Sequence, residues 1–119
     1  MNLQELISLQ NEFDEKHNWI SKKGDFDSLV SFLNRDLVGI FGEIGELANI
    51  IKKMNLDYDA RQQDINDKFK NIYKPQIEEE LIDSFIYLIR LANHLNLNLE
   101  DSYLQKLKIN TTKFKKYEK

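Results

Sequence analysis

Apolar residues along this chain recur at three- and four-residue intervals, the spacing that lines one side of an α-helix. Leu3, Leu6, Ile7, Leu9 and Phe13 follow that spacing with Glu and Gln between them, so residues 2–17 are predicted to form a first amphipathic helix. The stretch 18–27 interrupts it, and Gly24 among charged residues marks a loop there. Asp27 or Ser28 suits the N-cap of a second helix, expected from about residue 28 to 54. Its stripe includes Leu29, Phe32, Leu37, Ile40, Ile44, Leu47 and Ile51. Asn55, Asp57 and Asp59 predict a turn, and 60–72 reads as a short polar helix or a loop. Pro75 fits the first turn of a third helix reaching about Leu95, because its missing N–H costs nothing there. Asn96 to Leu99 is a connector. A fourth helix then runs from Leu99-Glu100-Asp101, with acids at its positive end, to about Tyr117.

The pattern therefore predicts an all-α chain, a bundle of four helices with a short fifth between the second and third. With 119 residues and no internal repeat, residues 1–119 read as a single domain. One proline and four glycines agree, because sheets need many turns and helical bundles few. No apolar run approaches the ~20 residues of a membrane helix, so no membrane partner is expected. The first residues lack the basic start and apolar stretch of a secretory signal. The absence of cysteine excludes disulfides, zinc fingers, iron–sulfur clusters and thiol nucleophiles, and suggests a reducing, cytoplasmic setting. A net charge of −3 supplies no field to draw in a nucleic acid polymer.

Several residues contradict the plain helical pattern. Gly39, Gly42 and Gly45 lie within the second helix, where each costs about 1 kcal/mol against alanine. Spaced by three, they share a strip, as expected where another helix comes close or where a pocket must stay open. Glu43 and Glu46 sit between them, about 60° apart and one turn from each other. On a helical wheel Glu43 falls inside the sector of Leu47, Ile50 and Met54, with Glu46 at its edge. The third helix repeats the anomaly. Its circumference is apolar except for a narrow strip of Glu79, Glu80, Asp83, Tyr87, Arg90 and His94, so it is expected to be deeply buried.

Two helices that should pack together thus each carry an acidic pair, Glu43/Glu46 and Glu80/Asp83. Like charges on a core-facing strip repel and lose hydration, and need a cation to be tolerated. Four carboxylates form an all-oxygen set that suits Mg²⁺ or Mn²⁺ better than zinc. The alternative is pairing of Glu79 or Glu80 with Lys or Arg on another helix. A di-iron site needs Glu-x-x-His, and His94 has Leu91 three positions before it. The run from Asp57 starts like a calcium loop but has Gln62 in place of glycine and Lys68 in place of the bidentate Glu. No phosphate-binding glycine loop is present.

The last fourteen residues hold six lysines and one glutamate. Most suit a solvated basic helix end. Lys106, Asn110 and Lys113 share one face, however, and two cations with an amide beside a metal would suit a polyphosphate. Trp19 and His17 offer rings on which a base could stack, or a staple holding the first loop to the bundle.

Three segments carry a family resemblance: Gly42-Glu43-Ile44-Gly45-Glu46-Leu47-Ala48, then Glu79-Glu80-Leu81-Ile82-Asp83-Ser84-Phe85-Ile86-Tyr87-Leu88, then Lys106 to Phe114 with its Lys-x-x-x-Asn. Together with Phe13 to Trp19 they resemble the MazG-like all-α nucleoside triphosphate pyrophosphohydrolases over about residues 10–117. The resemblance implies that family's helical fold and Mg²⁺-dependent hydrolysis between the α and β phosphates, giving a nucleoside monophosphate and pyrophosphate. It implies Glu43, Glu46, Glu80 and Asp83 as metal ligands and catalytic residues, and Lys106 and Asn110 as contacts to phosphate or sugar. Related dUTPases and phosphoribosyl-ATP pyrophosphatases have similar motifs, so dUTP or a biosynthetic nucleotide is an alternative substrate. A non-enzymatic adaptor or regulator, its acids paired with lysines, is the alternative of another class. Four helices of this size cannot bury so apolar a third helix alone, so a homodimer or homotetramer is expected.

Overall fold

The computed structural model describes all residues from Met1 to Lys119, and the chain is all-helical with no strand. The helices are α1 (Leu3–Lys16), α2 (Phe26–Asp59), the single-turn α3 (Ile65–Lys68), α4 (Lys74–His94) and α5 (Leu99–Lys113). A π turn (Phe69–Tyr73) joins α3 to α4, and a 3-10 turn (Lys115–Tyr117) follows α5. The chain divides into two compact units, Met1–Phe32 with Ile89–Lys119, and Leu33–Leu88.

In the first unit, α1 begins with a reciprocal cap. The Asn2 side chain accepts from the Glu5 N–H at 2.9 Å, and Glu5 accepts from the Asn2 N–H at 3.4 Å. Ile7, Ile89 and Ala92 are buried. So is Asp14, which is 1% exposed and accepts two hydrogen bonds from the Arg90 guanidinium at 2.9 and 3.0 Å and one from the Gln10 side-chain amide at 3.0 Å. The pair is tolerated away from water because it is bidentate and the carboxylate has a third donor. Two loop residues, Asn18 at φ 58° and Gly24 at φ 80°, turn the chain in the left-handed region towards α2. Asp25, rather than Asp27 or Ser28, caps α2 by accepting from the Ser28 N–H at 3.2 Å. The Ser28 hydroxyl instead receives the Lys22 N–H at 2.9 Å, so the loop itself moves the helix start back to Phe26. At the other end Asn98 caps α5 through the Asp101 N–H at 3.0 Å, and α5 packs on α1.

In the second unit, α2 and α4 run antiparallel, with Gly39 against Tyr87 and Glu43 against Glu80. A Cβ at Gly39 would overlap the Tyr87 ring, which accounts for this glycine by close approach. Gly42 and Gly45 face open space. The turn expected at 55–59 does not form, and α2 continues to Asp59. Asp57 does not cap anything; its carboxylate accepts from the Tyr73 hydroxyl and lies 3.7 Å from the Lys68 ammonium. That hydrogen bond, followed by burial and the charges of Asp57 and Asp64, raises the Tyr73 phenol above its ordinary range. The chain reverses through Arg61 at φ 53°, and the short fifth helix expected within 60–72 is α3. Pro75 lies in the first turn of α4, as expected, two residues after the π turn. Its ring crowds the carbonyl four residues back and it has no N–H to donate, so the wider turn falls where the α-helical bonding is interrupted.

Candidate metal centre

The acidic positions of two helices meet in the second unit. One carboxylate oxygen from each of Glu43, Glu46 and Glu80 lies within 4.8 Å of the other two. Glu43 and Glu46 are one turn apart on α2, and the antiparallel α4 delivers Glu80 against them. Glu43 and Glu80 are half-buried and Glu46 is exposed, so the group opens to solvent on the Glu46 side. Oε2 of Glu43 and Oε2 of Glu80 are shut off from water and accept no hydrogen bond. None of the three is ion-paired with Lys or Arg.

A carboxylate donates a hydrogen bond only when protonated. The cluster therefore favours a retained proton, and the Glu80 carboxyl is pushed up from 4.5 to about 7. Hydrogen bonding with Glu43 is the largest cause, followed by burial, hydrogen bonding with Glu46, and repulsion from the Glu46 and Glu43 charges. A divalent cation would do the proton's work more fully, since it can meet three oxygens at once. Two buried, unpartnered oxygens and an all-oxygen donor set fit Mg²⁺ or Mn²⁺.

Asp83, the fourth expected ligand, is half-buried one turn beyond Glu80 but does not join this group. Glu79 is exposed beside it. Lys106, Asn110 and Lys113 lie on α5 in the first unit. Both lysines are exposed and Asn110 is half-buried, with the Lys113 ammonium 5.3 Å from the Phe114 ring. His17 and Trp19 are exposed, but their rings already engage each other, stacked at 4.8 Å, with Phe13 closing the cluster. The Arg90 guanidinium stands 5.1 Å from the centre of the Trp19 ring, so the indole works as the staple of the first loop as well as offering its open surface.

Sequence reasoning missed the buried pair of Asp14 and Arg90. Its signal lay in the narrow polar strip of α4, where Arg90 and His94 stand out, and His94 proves to be buried with Nε2 accepting from the Ser21 N–H at 3.2 Å. No protein-family model, curated protein or solved structure matches the chain. No helix is long and apolar enough to cross a membrane.

Proposed function

We propose that this chain is a Mg²⁺-dependent nucleoside triphosphate pyrophosphohydrolase that releases a nucleoside monophosphate and pyrophosphate. The observation that carries the proposal is the convergence of Glu43, Glu46 and Glu80 from two helices, with two of their oxygens buried and unpartnered. Together with the resemblance of the motifs around them, it favours an enzyme over an adaptor. In an adaptor those acids would be neutralised by lysine or arginine, and they are not.

Glu43, Glu46 and Glu80 would hold the metal, and the motif resemblance adds Asp83, one turn along α4, as a fourth ligand. When bound, Mg²⁺ (or Mn²⁺) polarises phosphoryl oxygens, lowers the pKa of water and offsets the charge that builds on the leaving pyrophosphate. The chain's own residues do the rest. The open side at Glu46 admits the triphosphate. A carboxylate of the cluster, or Glu79, takes the proton of the water that attacks the α phosphorus as the bond to the bridging oxygen breaks. The working form is a homodimer or homotetramer.

Pyrophosphate release from a panel of nucleotides, dUTP included, with and without Mg²⁺, tests the proposal. Metal-dependent release that falls about 100-fold or more in Glu43→Gln, the scale of losing a Lewis acid worth several kcal/mol, is the expected result. Unchanged turnover in folded Glu43→Gln and Asp83→Asn proteins, or no release from any nucleotide, would sink it.

A further inference from the structure

Gly42 is not accounted for by the chain itself. It lies in the interior of α2, where glycine costs about 1 kcal/mol against alanine, and its φ is not in the left-handed region. Nothing comes within 4 Å of where its Cβ would be, so close packing does not require it either. What singles it out is its place. Four residues before Glu46, it stands one turn away and only about 40° round the helix, on the side where the acidic cluster opens. Glu46 has a second neighbour on that side. Lys53 follows it by seven residues, about 10.5 Å along the axis and about 20° round it. Lys53 is exposed and in no ion pair, and it is the basic residue of α2 nearest to Glu46 on this side. Bare backbone, the acidic cluster and an unpaired cation thus follow one another along α2, all within the second unit.

We infer that the substrate lies along α2 with its pyrophosphate end towards Lys53 and its nucleoside across Gly42, an orientation that rests on the pyrophosphohydrolase reading. Charge sets the direction. The departing pyrophosphate gathers the negative charge and gains from a cation beyond the metal, and the Lys53 ammonium offers it a charge-assisted hydrogen bond. The nucleoside is the bulky, uncharged end. A helix surface without a side chain gives it room beside the metal ligands, which is the use that the cost of Gly42 serves. Gly45, equally bare, is about 100° round from Glu46 and takes no part.

The two ends have separate tests. Steady-state kinetics with the best nucleotide of the panel read the nucleoside end. Gly42→Leu, a good helix former at an exposed position, is expected to raise KM about tenfold with kcat little changed. Gly45→Leu should leave KM where it was. Calorimetric titration of pyrophosphate in the presence of Mg²⁺ reads the other end. Lys53→Gln should weaken that binding about tenfold, and Gly42→Leu should not weaken it. Helical circular dichroism and a Mg²⁺-induced rise in melting temperature, kept in all three variants, show that the fold and the metal site are intact. An unchanged KM in Gly42→Leu, or wild-type pyrophosphate affinity in Lys53→Gln, overturns the orientation. If the wild type hydrolyses no nucleotide, the proposed reaction falls, whereas the calorimetry still decides the pyrophosphate end: weaker binding in Lys53→Gln supports it and equal binding overturns it.

Discussion

A carboxyl that keeps its proton to about pH 7 makes the protein's stability depend on pH in an unusual direction. Glu80 is raised from 4.5 to about 7, so between those values the folded chain binds more protons than the unfolded one. Stability in the absence of metal is then highest below pH 4.5 as far as this group is concerned, and is lost as pH rises towards 7. Thermal melts from pH 5 to 8 should show this decline, and Glu80→Gln should flatten it. A saturating divalent cation should oppose it, because binding to the folded state alone adds about 2.7 kcal/mol at 100-fold excess over Kd. Melting at pH 7.5 with Mg²⁺ or Mn²⁺ is expected to shift upward in the wild type and to stay flat in Glu43→Gln; a flat wild-type melt would point to the adaptor. Asp14→Ala leaves the Arg90 guanidinium short of its bidentate partner in a buried place, which should cost about 3 kcal/mol in a urea titration. The acidic motifs were legible in the sequence because carboxylates on an apolar sector are a visible contradiction. The Asp14 pair was not, because its partners lie 76 residues apart and no periodicity links them.

At the scale of elements, three glycines spaced by three turn out to have different reasons. Gly39 is forced by the Tyr87 ring, so Gly39→Ala should lower stability as the ring is pushed out of place. Gly42 has nothing within 4 Å, and Gly42→Ala should raise stability by up to about 1 kcal/mol through helix propensity alone. Measured melting temperatures moving in opposite directions would check both. The helix starts and stops show how local signals lose to tertiary ones. Asn55, Asp57 and Asp59 are turn formers, but Asp57 is engaged by Tyr73 and Lys68 of the following segment, and α2 keeps its last turns. Asp57→Ala should therefore loosen residues 55–73 first, seen as faster amide exchange there than in the middle of α2.

For the molecule as a whole, the expectation that α4 is deeply buried holds only in part. Ile89 and Ala92 are buried, while Leu81, Ile82, Leu88 and Leu95 remain open in the single chain. An apolar pattern states that a residue prefers to leave water; it does not say whether its own chain or another copy provides the cover. The sequence by itself determined the all-α class, the number and approximate span of the helices and the acidic pairs, because each is written in three- and four-residue spacing or in residues that break it. Only the tertiary structure decided that Glu43, Glu46 and Glu80 converge while Asp83 stands apart, that Asp14 anchors Arg90, and which leucines are left bare. Those outcomes depend on how far one helix turns and slides against another, and a few degrees or one residue of register, invisible in the spacing along either helix, moves a side chain from contact to solvent.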